Sequence, residues 1–301
     1  MELRVLRYFL TAAREENITK AAEVLHLTQP TLSRQLMQLE EELGVKLFVR
    51  GKHSITLTDE GMLLRERANE IITLTDKITR DFANKGETLS GTVTIGSGET
   101  QSMHLLSQMM TAFRKKYPNV NFEIYSAISD DIKDRIEKGI VDIGLLTEPV
   151  DIGRYEFIHM PYKDRWSALI RKDSPLAQKE YVTPEDLSKV PMIVAKRERV
   201  RKEIESWFGD YCENTEIAAI YNLLYNASIM VSEGVGVALC FEHDSRYENL
   251  CVKPLMPPMQ TGTVLVWKKH SITSPVVTAF IEFCKQYIKK INYNILEEDS
   301  Q

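Results

Sequence analysis

The sequence predicts a multidomain chain: a mainly helical N-terminal unit, one long helix, and an α/β region built from two strand–helix units. Three observations predict it. Residues 17–43 hold two capped helices separated by a tight turn, a helical apolar period runs for some 28 residues from Thr58, and strand–helix alternation begins at Gly91. With 301 residues, 43% of them hydrophobic and 27% charged, the chain can bury several cores and suits two or three domains.

Leu3, Leu6, Phe9, Leu10 and Ala13 recur at helical spacing over residues 3–14. Thr19 is placed to cap a second helix that runs through Leu25. His26 and Leu27 make the turn. Thr28 caps a third helix, with Pro30 in its first turn, where the missing N–H costs nothing. Leu32, Leu36, Leu39 and Leu43 face inward, and Gly44 stops the helix. The outer face then presents Gln29, Thr31, Ser33, Arg34 and Gln38. Gln can bond an adenine edge, Arg a guanine edge, and hydroxyls either bases or phosphates. A solvated helix face would also be polar, and the capped helix-turn-helix spacing decides for groove contact. Residues 47–57 read as two short strands around a Gly51-Lys52 turn, a wing whose tip carries Arg50, Lys52 and His53.

The net charge of −5 is opposite to what phosphate attraction asks, but it is unevenly spread. Residues 1–58 hold eight Lys/Arg against seven Asp/Glu. Such a marginally basic unit attracts phosphate weakly, so tight binding needs a dimer and well-placed donors.

Several spaced motifs coincide in order: Gln29-Pro30-Thr31-Leu32-Ser33-Arg34-Gln35-Leu36, Leu39 through Gly44, Leu47-Phe48-x-Arg50, and Leu57-Thr58-x-x-Gly61. In these the chain resembles the LysR-type transcriptional regulators. The resemblance implies a winged helix-turn-helix whose Gln29, Thr31, Ser33 and Arg34 face double-stranded DNA. With the cap and the wing, the DNA-contacting set becomes Thr28, Gln29, Thr31, Ser33, Arg34, Gln38, Arg50 and Lys52.

Thr58 begins the long helix, with Asp59 and Glu60 favourable in its first turn. Met62, Leu64, Ala68, Ile71 or Ile72, Thr75, Ile78 and Phe82 form a stripe lasting to about Gly86, a helix of roughly 42 Å. It can pair with a partner helix or lie on its own domain; the resemblance implies the dimerisation helix of a homodimer or homotetramer. The domains are thus 1–58, a linker helix 59–89, and an effector region 90–301.

In that last region, strands at 92–95, 121–125 and 141–146 alternate with helices at 105–117 and 132–138, which predicts a parallel sheet covered on both faces. A second unit starts near Tyr162, with strands at 166–171 and 192–194, a helix around 220–232 and an apolar run at 234–239. The chain returns through 264–267 to a last helix, 275–290. The lobes are then about 90–161 with 267–301, and about 162–266. The pattern is similar to the effector region of LysR-type regulators, which shares the two-lobed fold of type 2 periplasmic binding proteins. Lys172 through Ala177 matches a family pattern in which His is usual where Ser174 stands.

Ligands in such folds sit at the strand C-terminal ends. Ser97, Gly98, Glu99, Thr100, Gln101 and Ser102 follow the first strand and offer hydroxyls, an amide and helix N–H groups, an anion cradle. Ser126 to Ser129 follow the second strand and Thr147 the third. Lys196 and Arg197 supply positive charge from the other lobe, and Tyr221 and Asn222 begin a later helix. Thr100 and Thr147 match family ligand positions. Glu99 would repel an anion, so zwitterionic, amine-bearing and neutral polar metabolites stay open as effectors.

Gly96-x-Gly98 and Gly234-x-Gly236 lack the third glycine of a dinucleotide fingerprint. There is no phosphate loop, nucleophile elbow or paired-histidine motif. Cys212, Cys240, Cys251 and Cys284 have no pairing pattern, so neither metal, cofactor nor enzyme activity is expected. A transport-type receptor is the competing class. The polar-interrupted start and the lack of an eighteen-residue apolar run speak for a cytoplasmic protein.

Overall fold

Each N-terminal helix forms where an apolar stripe can be buried, and the caps differ in detail from the sequence expectation. In the computed structural model, which describes residues 1–51, 54–83, 89–243, 247–270 and 273–298, the chain divides into two units, Met1–Lys85 and Gly86–Gln301. Helix α1 (Leu3–Glu15) buries Val5, Leu6, Phe9 and Ala12. Helix α2 (Ile18–Val24) is capped by Asn17, not Thr19: the Asn17 side chain accepts from the Thr19 and Lys20 amides at 2.9 and 3.0 Å. Thr28 stands at the start of α3 (Gln29–Leu43) without capping it through its side chain. Its hydroxyl pairs instead with that of Thr31 at 2.8 Å. Leu32, Leu36 and Leu39 are buried, but Leu43 is exposed because the last turn runs past the core. Gly44 closes the helix at φ 70°, a left-handed conformation that glycine takes without strain.

Strands β1 (Phe48–Arg50) and β2 (Ile55–Leu57) pair antiparallel, Phe48 opposite Leu57. Lys52 and His53 lie outside the described residues. Helix α4 (Asp59–Ala83) starts where Thr58 accepts the Gly61 amide at 3.0 Å and donates its hydroxyl to Lys46 O at 2.7 Å. A Cβ on Gly61 would stand 2.2 Å from Leu47 O, so glycine is required for α4 to pass the wing. The expected single stripe on α4 splits. Ala68 is buried, and Leu64 and Ile72 pack on the N-terminal core. Met62, Ile71 and Ile78 are exposed. The expected continuation to Gly86 falls beyond the described helix.

The second unit runs β3 (Gly91–Ser97), α5 (Ser102–Lys116), β4 (Val120–Ser126), α6 (Ser129–Glu137), β5 (Ile143–Thr147) and β6 (Tyr155–His159). It crosses into β7 (Asp164–Arg171), α7 (Pro184–Leu187), β8 (Met192–Ala195), α8 (Glu198–Phe208), β9 (Ile217–Tyr221), α9 (Leu224–Ser232), β10 (Val237–Phe241), β11 (Leu250–Pro254) and β12 (Gln260–Thr261). It returns in β13 (Thr263–Lys268) and ends in α10 (Pro275–Glu298). The strand orders are β4-β3-β5-β13-β6 and β11-β7-β10-β8-β9, with β12 on β7.

Both sheets are mixed, not purely parallel. β3 is parallel to β4 and β5, and β8 to β9 and β10, whereas β13 and β7 run against their neighbours. β7 and β13 are the strands that arrive from the opposite lobe, and each enters its sheet in the reverse sense. Since β13 belongs to the first sheet from Thr263, the second lobe stops before that residue, short of the expected 266. Ile220 and Tyr221 belong to β9, opposite Val194 and Ala195, not to a helix. Such a short apolar run has no decisive period. The first lobe buries Met109, Phe113 and Phe280 on one face of its sheet and Ile132 and Ile136 on the other. The second packs Val200, Ile204 and Phe208 on one face and Ala227 and Val231 on the other.

Candidate DNA-contacting face and effector cleft

The buried leucines of α3 force the opposite face outward. Thr28, Gln29, Thr31, Arg34 and Gln38 are exposed, and Ser33 is half-buried. Gln35 donates to the Gln38 side-chain oxygen at 3.1 Å, which fixes the orientation of that amide. Arg50 is exposed and lies 3.7 Å from a carboxylate that sequence reading passed over, Glu40. Glu40 is only 3% exposed. Its Oε1 accepts the Leu47 and Phe48 amides at 2.8 and 3.3 Å, and its Oε2 accepts Lys46 Nζ at 3.2 Å. Burial pushes this carboxyl up, but the Leu47 amide, Lys46 and the Phe48 amide together outweigh burial and hold it below its ordinary range. The signal was present, since Glu40 sits one helical turn after buried Leu36 on the inward face.

In the second unit the C-terminal ends of β3, β5, β8, β9 and β10 converge between the lobes. Gly98, Glu99, Ser129, Thr147, Lys196, Arg197, Tyr221 and Asn222 all line one cavity of about 100 Å³. Its apolar wall was not among the expected site residues: Trp166 opens the expected strand 166–171, and Cys240 and Phe241 lie just past the apolar run 234–239. Trp166 and Phe241 meet edge to face at 4.7 Å, and Trp166 Nε1 donates to Thr261 at 2.7 Å. Burial, with the Glu99 charge behind it, pushes the Cys240 thiol up to about 12, so it stands in the wall as a protonated, unreactive group. Burial likewise raises Tyr221 well above the usual phenol range, and its hydroxyl donates to Leu239 O at 2.7 Å.

The remaining candidates lie elsewhere. Ser97, Thr100 and Gln101 line a neighbouring cavity of about 370 Å³ that shares Gly98, Glu99, Leu224 and Phe241 with the first. Ser102 lines neither; it is buried as the first residue of α5. Thr100, expected as a ligand contact, donates its hydroxyl to Asp164 at 2.5 Å.

Besides the Thr100–Asp164 contact, hydrogen bonds join the lobes at Arg197, at the start of α9 and at Gln101. Arg197, 5% exposed, donates through Nη1 to Thr147 O at 2.9 Å and through Nη2 to Pro149 O at 2.8 Å. Its Nε lies 3.5 Å from Asp130 with no hydrogen-bond partner. Burial pushes the Arg197 guanidinium below its ordinary range, and the neighbouring Asp130 charge partly offsets that. The Leu224 amide at the start of α9 donates to Glu99. Gln101 Nε2 donates to Glu242 O at 2.6 Å.

Comparison with known proteins accounts for nearly the whole chain. Residues 3–62 match the model of the bacterial regulatory helix-turn-helix protein, LysR family, and residues 86–289 match the LysR substrate binding domain. The chain is 27% identical to the uncharacterized HTH-type transcriptional regulator YvbU of Bacillus subtilis, over 95% of this chain and 98% of that one. It is 30% identical to the HTH-type transcriptional activator IlvY of Salmonella typhimurium, over 79% of this chain and 82% of that one. Its fold is similar to full-length CbnR complexed with its target DNA, with a TM-score of 0.75 at 18% identity over 95% of this chain and 100% of that one.

Proposed function

Because the chain belongs to the LysR family of DNA-binding transcriptional regulators, we propose which residues read DNA and what its effector looks like. The exposed face of α3, from Thr28 to Gln38, enters a major groove, with Arg34 reading a guanine edge and Arg50 and Lys52 on flanking phosphates. CbnR, which shares this fold, has been solved with its target DNA, and the exposed polar and basic side chains of α3 and Arg50 support the residue assignments. Among the described residues no helix is long and apolar enough to cross a membrane, and we place the protein in the cytoplasm with its DNA. Exposed Ile71 and Ile78 on α4 serve pairing with a second copy of the chain.

The effector occupies the cavity between the lobes as a small metabolite with a compact apolar body and one anionic group. Arg197 carries this reading: a buried cation joining the two lobes at the cavity wall offers a charge that an anion can take over. Trp166, Cys240 and Phe241 receive the body. Footprinting on DNA upstream of its own gene, with and without small carboxylic acids, tests both halves. The expected result is salt-sensitive, sequence-specific protection whose extent changes with one class of acid. Absence of specific protection overturns the DNA reading, and protection indifferent to every acid overturns the effector reading.

A further inference from the structure

Asp164 is 1% exposed at the point where the chain first crosses between lobes. Its Oδ1 accepts the Gln101 amide at 2.7 Å, beside the start of α5. Its Oδ2 accepts the Thr100 hydroxyl at 2.5 Å and the Thr263 hydroxyl at 3.1 Å. These are the donors that a bound carboxylate would use: a backbone N–H at a helix start and two converging hydroxyls. Asp164 opens β7 and Thr263 opens β13, so the same carboxylate ties both crossings to α5.

We propose that Asp164 is a built-in anion that fills the seat at the start of α5 and so excludes an effector's anionic group from that end of the cleft. It is then a specificity-determining residue. At the start of α9 the exposed Glu99 accepts one amide, that of Leu224. The remaining positive charge lies at Lys196 and Arg197, whose Nε faces the Asp130 carboxylate at 3.5 Å. This placement rests on the reading of the cleft as the effector site, but the filled seat itself can be tested without effector or DNA.

Asp164→Ala in the full-length protein vacates the seat, and formate is the probe. With a Kd of about 1 mM, formate at about 100 mM raises the variant's Tm by about 5–10 °C over matched chloride. The native protein shifts by less than about 1 °C, since its seat is taken. Asp164→Asn, which keeps the seat filled, shows no formate response. If the Ala variant does not fold, Asp164→Ser replaces it, and the Gln101 amide resonance of the native protein is followed during a formate titration. An equal formate response in native and variant proteins, no response in any vacated variant, or a moving native Gln101 amide overturns the proposal. A failed effector reading shows differently: formate rescue persists while Arg197→Lys leaves the response to every acid unchanged.

Discussion

Two buried charges, Glu40 and Arg197, each tie separate elements together, Glu40 between neighbours in sequence and Arg197 between the lobes. Glu40 joins the end of α3 to the wing by accepting two amides of β1 and its approach. Glu40→Ala leaves those amides unsatisfied and costs about 1–3 kcal/mol, read by chemical denaturation of the full chain. Because its carboxyl is held below its ordinary value of 4.5, its contribution is fully present above that pH and fades as pH falls through the lower folded value. Glu40→Gln therefore flattens the acid limb of the stability curve, and an unchanged acid limb refutes the assignment. Arg197 is a cross-lobe donor of two directed hydrogen bonds to backbone carbonyls. Lysine cannot present that fork. Arg197→Lys should weaken the effector at least about tenfold in a titration while leaving DNA affinity without effector within about twofold.

At the scale of elements, α3 and α4 were legible because their signals are local. Pro30, Gly44 and Thr58 mark ends by their own backbone chemistry, and the leucine spacing marks the buried face. Asn17 was missed as a cap because Thr19, two residues on, is an equally good capping type; only the backbone path chooses between them. β9 was misread because Ile217 through Tyr221 has no decisive period, and its pairing with β8 is non-local. The requirement for Gly61 was likewise invisible, since it comes from Leu47 O across the wing. Gly61→Ala should lower Tm by several degrees with DNA contacts intact in composition, and an unchanged Tm shows that α4 can shift to make room. On α3, Arg34→Ala should lose about 1–3 kcal/mol of discrimination for one base pair. A uniform loss on all sequences would make Arg34 a phosphate contact.

At the scale of the whole molecule, the cleft was half legible. The rule that ligands lie at strand C-terminal ends brought eight of the expected residues onto one cavity. It could not say that Thr100 was already committed, because Asp164 stands 64 positions away. Nor could it find Trp166 and Phe241, whose strands are core on one face and cavity wall on the other. The N-terminal unit poses the opposite problem. Its near-balanced charge makes one copy a weak phosphate binder, so strong operator binding must come from joining two half-sites. The exposed Ile71 and Ile78 lie seven residues apart, two helical turns on one side of α4. An apolar row so placed is suited to a partner helix and costs little to abolish with charge. Ile71→Glu with Ile78→Glu should dissociate the assembly in sedimentation, and the slope of log affinity against log salt should fall to about half. Dissociation without that change in slope would mean that a single copy makes all the phosphate contacts, and the two-half-site account would fail.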